Sequence, residues 1–256
     1  MEKKYERGGM EFKDTPERRV NFRITIFGTG SEKTVNDKAA IKTASNIAPK
    51  IVEQGFSLAT GGYGGVMKAA SESGAVKAKE LGFNPNERIL AFPLKEDENL
   101  KGQEVTEADI VRSETLPKRL VHLIDESSGG YIIIGGGYGT TVEMLTVLET
   151  RRINAKLNPE ITARPIVIID ESLKHTDLLT RLARKEKKLQ GSETLDQTYI
   201  LGNEPQAVDV ASQIMEAYYQ KSIGLEIPDE LNDELSRYNL GKFLKNQEEF
   251  NEGGGI

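Results

Sequence analysis

The chain has 256 residues, the length of one large domain or two small ones. Forty acidic side chains against 34 basic ones give a net charge of −6, without the basic excess of a general nucleic-acid binder. Cysteine is absent and histidine is limited to His122 and His175, which excludes disulfides, thiol nucleophiles, cysteine-bearing metal sites and a three-histidine site within one chain.

Residues 1–20 are charged and poor in apolar side chains, and read as a flexible N-terminal arm. With no apolar segment behind those charges they do not form a secretory leader. No apolar run approaches the ~20 residues of a membrane span, so a cytoplasmic protein is expected. Short runs rich in β-branched residues then recur at 23–27, 56–60, 88–92, 109–111, 131–134, 165–169 and 198–201. Several are apolar throughout, the pattern of strands covered on both faces. Helical spacing lies between them: Ala40, Ala44, Ile47 and Ile51, then Leu116, Leu120, Leu123 and Ile124. It continues in Met144, Leu145 and Leu148, and in Val208, Ala211, Ile214 and Met215. Pro49 sits inside the first of these helices and predicts a kink or break. The run Arg184-Lys185-Glu186-Lys187-Lys188 reads as a solvated helix face. Leu231, Leu235 and Leu240 suggest a last polar helix over 229–248, too sparsely apolar to be anchored firmly, before a frayed tail at 251–256. The alternation predicts an α/β fold: a doubly wound, Rossmann-like parallel sheet of about seven strands with helices on both faces. One nucleotide-binding domain over 21–222 accounts for it, followed by a helical extension and tail over 223–256.

Glycines cluster where strands end. Gly28-Thr29-Gly30-Ser31 follows the first strand, Gly61-Gly62-Tyr63-Gly64-Gly65 the second, and Gly135-Gly136-Gly137-Tyr138-Gly139-Thr140 the fifth. Such positions either make tight turns that need φ > 0, or let backbone N–H groups and a helix N-terminus receive a phosphate. Neither long cluster fits G-x-G-x-x-G or G-x-x-x-x-G-K-[ST], so dinucleotide and P-loop chemistry are weak candidates. Glu143 follows Thr140 by three residues. That is the spacing of a capping box, and equally of a carboxylate kept ionised near a helix dipole. Arg119 lies early in a helix beside an apolar stripe, as a surface arginine with a buried stem or as a ligand-binding cation. Both histidines read as ordinary helix residues.

Gly136-Gly137-Tyr138-Gly139-Thr140-x-x-Glu143 resembles the signature P-G-G-x-G-T-x-x-E of the LOG family, phosphoribohydrolases that activate cytokinins. Gly61-Gly62-Tyr63-Gly64-Gly65-Val66-Met67 is similar to that family's G-G-G-x-x-G-L-M, and Leu116-Pro117-Lys118-Arg119 to its M-H-x-R-K. The resemblance spans about residues 22–220 in the expected order. Gly135 stands where the motif has proline, and Leu120 where it has lysine. Arg119 lies one residue further from the glycine motif than is common.

The resemblance implies cleavage of the N-glycosidic bond of a nucleoside 5′-monophosphate, giving free base and ribose 5-phosphate. Gly136, Gly137, Gly139 and Thr140 would hold the phosphate. Gly28, Gly30, Ser31, Gly61, Gly62 and Gly64 would complete the nucleotide pocket. Glu143 would stabilise an oxocarbenium-like ribose and help activate water. Arg119 would bind phosphate or ribose and orient Glu143. No metal or other cofactor is called for, and lysine decarboxylation, an old label of the family, finds no cofactor lysine. The expected partner is a phosphorylated small molecule, not nucleic acid or membrane, and a homodimer or higher homo-oligomer is implied. The same superfamily includes molybdenum-cofactor carriers and nucleotide sensors, so a non-enzymatic carrier or sensor of a phosphorylated ligand is the alternative. A module with a dead site is the third.

Overall fold

A computed structural model describes residues 3–7, 10–95, 105–154, 164–170, 172–185, 195, 197–202 and 204–242. The apolar runs become strands close to where the pattern puts them: β3 (Arg23–Gly28), β4 (Ser57–Thr60), β5 (Ile89–Ala91), β6 (Asp109–Ile110), β7 (Gly130–Ile134), β8 (Ile166–Ile169) and β9 (Thr198–Ile200). They pair in parallel in the order β6-β5-β4-β3-β7-β8-β9. The chain therefore winds outward from β3 to one edge, returns to β7, and winds to the other. The crevice beyond β3 and β7 is the switch point where such sheets bind ligands.

The strands' double-sided apolarity is used as predicted. Ile24, Ile26, Ile132 and Ile134 bury on one face, against α2 (Val35–Glu53), α3 (Val66–Glu80) and α8 (Ala207–Ser222). Their neighbours Phe27, Tyr131 and Ile133 bury on the other, against α5 (Leu116–Asp125), α6 (Tyr138–Asn154) and α7 (Lys174–Lys185). Each fully buried isoleucine contributes roughly 1.5–3 kcal/mol. A short α4 (Pro85–Arg88) precedes β5.

Three expectations are corrected. Of the kink or break expected at Pro49, the break is ruled out, since α2 runs through it as one helix. It lies in the last turns, where buried Ala44, Ile47, Ala48, Ile51 and Val52 offset the lost hydrogen bond. The N-terminal stretch is not wholly a flexible arm. Residues Lys3–Arg7 (β1) and Met10–Asp14 (β2) pair as an antiparallel hairpin that leads into α1 (Pro16–Asn21). Arg19 of α1 binds Asp14 at 2.6 Å and Glu216 of α8 at 2.9 Å, and its guanidinium lies over the rings of Phe56 and Tyr219. The C-terminal helix is anchored after all. In α9 (Asp229–Ser236) Leu235 is buried, as is Leu240 beyond it, and the Ile200 N–H donates to the Tyr238 carbonyl at 2.8 Å, covering the exposed edge of β9. The remainder of the 229–248 prediction from residue 243, the tail, and the side chains of the 184–188 run lie outside the described residues.

Candidate active site at the strand ends

α6 begins at Tyr138, directly after the glycine turn. Thr140 is therefore inside the first turn, and Thr140-x-x-Glu143 does not form a capping box. The N–H groups of residues 136–140 make no backbone hydrogen bond among the described residues, while the Thr141 N–H donates to the Gly137 carbonyl at 3.1 Å. Gly137 and Gly139 face open space, and Tyr138 is exposed. Free donors and a helix dipole thus point outward at the switch crevice, a ready site for an anion. Thr140, by contrast, is buried, with its hydroxyl packed over Gly136.

Glu143 emerges one turn further along α6 and meets Arg119, which reaches over from α5. The Thr115 hydroxyl caps α5 and Pro117 opens it, fixing where the arginine leaves the helix. Arg119 Nη1 donates to Glu143 Oε1 at 3.1 Å, and Nε donates to the Phe92 carbonyl at 2.8 Å. The Tyr63 ring lies 5.7 Å from the guanidinium, and Met67 Sδ 4.0 Å from Nη2. The two side chains are 9% and 8% exposed, so the arginine is no surface residue. Burial drives the Glu143 carboxyl up to about 7, against the pull of Arg119. This reverses the sequence expectation of a carboxylate kept ionised by the dipole: desolvation outweighs the helix terminus.

The first glycine cluster is packed beneath the crevice. Residues 61–67 are all buried. A Cβ on Gly61 would lie 1.8 Å from Arg119 Nη2, so this glycine makes room for the guanidinium. Gly62 and Gly65 have φ of 82° and 62°, and the Gly62 N–H already donates to the Thr60 hydroxyl at 3.3 Å. Gly64 is buried in the same turn. Gly28 packs against Val66 and the Ile134 carbonyl, whereas Gly30 is exposed with only Met67 Cε near it. The Ser31 hydroxyl is committed to Asp37, to which it donates at 2.9 Å. Gly136, Gly137, Gly139 and Thr140 thus gather with Thr29 at the crevice, and Arg119 with Glu143 beside them. Gly61, Gly62, Gly64 and Gly28 form the scaffold beneath.

One residue set escaped the sequence reading. The His175 N–H donates to Asp170 Oδ2 at 2.6 Å, and its ring Nδ1 lies 3.2 Å from the same oxygen. Its Nε2 is 3.3 Å from the Thr141 hydroxyl, which donates to the Gly137 carbonyl at 3.0 Å. Both Asp170 and His175 are fully buried. The chain Asp170–His175–Thr141–Gly137 ties the end of β8 to the glycine turn after β7. Asp170 directly after a strand, followed by a histidine at the next helix start, was the available signal. Among the described residues no group of three His, Asp or Glu side chains could hold a metal, and no helix is long and apolar enough to cross a membrane.

This is the arrangement of a doubly wound, Rossmann-like protein that presents a glycine turn with free backbone N–H groups at its switch crevice. Residues 21–189 match the SLOG cluster4 family, and the chain belongs to that family, in keeping with its LOG-like motifs. No curated protein matches it. Among solved structures it is similar to the molybdenum cofactor binding protein from the phototrophic bacterium Rippkaea orientalis, at 19% identity and a TM-score of 0.52 over 75% of this chain and 96% of that one. It is also similar to the Moco carrier protein from Chlamydomonas reinhardtii, at 19% identity and a TM-score of 0.50 over 76% and 97% of the two chains. At such identity the likeness is one of fold.

Proposed function

We propose that the protein is a nucleoside 5′-monophosphate phosphoribohydrolase. The observation that carries this reading is the Arg119–Glu143 pair, with its carboxyl near 7, set one helical turn from an outward-facing phosphate turn. The 5′-phosphate accepts hydrogen bonds from the N–H groups of Gly137, Tyr138, Gly139 and Thr140. This anchors the ribose over Glu143. As the bond from C1′ to the base nitrogen breaks, the electron pair leaves with the base and positive charge develops on the ribose. Ionised Glu143 stabilises that charge and accepts a proton from the attacking water, whose oxygen bonds to C1′; that proton then passes to the departing base nitrogen, which releases neutral base and restores the carboxylate. Arg119 holds the carboxylate in place and tethers it to the Phe92 carbonyl. Incubation with AMP and N6-substituted AMP tests the reading. Free base is expected from at least one of them, and Glu143→Gln is expected to slow release by a factor on the order of 10²–10⁴. Equal release by the variant contradicts the assigned role.

A second reading rests on how closed the pair is: with both side chains under one-tenth exposed, water has little access to Glu143. A carrier or sensor that retains a phosphorylated ligand intact fits that closure, and the carriers among the structural relatives share the fold. Retention of unhydrolysed nucleotide after purification would favour it.

The protein acts as a homodimer through α6. Tyr138, Val142, Leu145 and Ile153 recur at helical spacing along this helix and all are exposed. An apolar stripe of this kind supports a partner helix.

A further inference from the structure

A recess of about 230 Å³ opens between the start of α2 and the β8–α7 connection. It shares Thr29, Gly135 and Gly136 with the crevice but contains neither Arg119 nor Glu143. Its floor, Ala40, Ile134 and Ile169, belongs to the α2 face of the sheet, whereas α5 and α6 pack on the opposite face. The glycine turn thus stands between this recess on one face of the sheet and the Arg119–Glu143 pair on the other.

We propose that this recess is a subsite for a hydroxylated group carried beyond the phosphate, so that besides a nucleoside monophosphate the site takes a nucleoside diphosphate joined to a sugar. The proposal deepens the reading above, since it takes the turn to hold a nucleotide phosphate.

The glycines supply the first argument. Gly28, Gly61, Gly65 and Gly136 are dictated by packing, because a Cβ at each would come within 2.4 Å of a neighbour. Gly135 is not. Its φ is not left-handed, and the nearest atoms to its Cβ position, Ala40 Cβ and Asp170 Oδ1, are both 3.7 Å away. A side chain would fit there, and it would fill the recess. The Gly135 N–H also donates to the Ile169 carbonyl at 3.3 Å, which the proline of the similar motif could not do. Keeping glycine here keeps the recess open.

The lining supplies the second. Asn36, Thr43 and Lys174 make no side-chain hydrogen bond among the described residues, whereas the Thr34 hydroxyl is engaged with Asp37. Unspent donors and acceptors above an apolar floor match the hydroxyls and ring face of a sugar. The volume is several times the roughly 30 Å³ share of one water, yet below the roughly 300 Å³ at which whole-ligand pockets begin. That is the size of one ring.

Charge supplies the third. Asp37 and Asp170 stand on opposite walls, both held at about 2. Asp37 is held there by the Thr34 backbone and the Ser31, Thr34 and Thr29 side chains. Asp170 is held there against its burial by His175 and Ser172. Against the single cation Lys174, two ionised carboxylates leave the recess net negative, which disfavours a phosphate there and admits a neutral group.

Calorimetric titration of AMP, ADP and ADP-ribose into the Glu143→Gln protein, which removes turnover, tests the subsite. ADP-ribose differs from ADP by the terminal ribose, and is expected to bind about tenfold more tightly. Thr43→Phe, which fills the recess, is expected to abolish that advantage while leaving ADP affinity within about twofold. Lys174→Ala, at an exposed position whose loss does not threaten folding, is expected to reduce it about threefold. Equal affinities for ADP and ADP-ribose overturn the subsite, as does an advantage that survives both substitutions. Failure of AMP hydrolysis with the ribose advantage intact contradicts the hydrolase reading alone.

Discussion

Glu143 is pulled two ways, by burial toward its neutral form and by Arg119 toward its ionised one, and burial prevails. Because the reaction uses the carboxylate, kcat/KM is expected to rise with pH through an apparent value near 7, and a pH profile flat from 5.5 to 8.5 would contradict this. Stability follows the opposite course. The folded value of about 7 lies above the ordinary 4.5, so the folded protein binds this proton more tightly than the unfolded chain does. The stabilisation is complete below about 4.5 and is lost as pH rises to about 7. Urea titrations of Glu143→Gln across that window are expected to lose this part of the pH dependence. Gly61→Ala probes the other partner: a Cβ placed 1.8 Å from Nη2 must displace the guanidinium. A loss of about 100-fold in kcat/KM with a retained fold is expected, and unchanged kinetics would show that the position of Arg119 does not matter. Glu143 and Arg119 were singled out through the resemblance of their motifs to the LOG family, since spacing alone fitted a capping box and a surface arginine as well. Their environment was not legible, because burial of both side chains depends on a contact between α5 and α6 that no local pattern encodes.

At the scale of elements, strand and helix positions were readable because their signals are local. β7 is Tyr131-Ile132-Ile133-Ile134 in sequence and a strand with both faces buried in the fold. The anchoring of the C-terminal helix was not readable for the converse reason, and neither was the continuity of α2 through Pro49, since packing against distant residues decided both. The link between β8 and α6 through His175 is equally nonlocal. Substituting His175 by Asn keeps a donor toward Asp170 but loses the reach to Thr141. Inorganic phosphate and AMP are then expected to bind several-fold more weakly with a small change in Tm. His175→Ala, which leaves the buried Asp170 carboxylate short of a partner, is expected to cost about 1–3 kcal/mol of stability as well. Unaltered phosphate affinity in the Asn variant would separate His175 from the turn.

For the whole molecule, the winding of the sheet from β3 to one edge and from β7 to the other places the turn, the ion pair and the recess at one crevice. A doubly wound sheet was legible from alternation alone, whereas its strand order and the recess behind Gly135 were not, since both depend on segments far apart in the chain. The apolar stripe on α6 belongs to this scale too. Light scattering is expected to give a dimer, and Val142→Glu with Leu145→Glu a monomer; a wild-type monomer would contradict the assigned interface. The central claim is that the crevice cleaves a nucleotide at its glycosidic bond. It is tested most directly by following AMP and its products by mass spectrometry with the purified protein. Adenine and ribose 5-phosphate appearing in equal amounts is the predicted result, and AMP recovered intact, or converted to adenosine and phosphate, would contradict it.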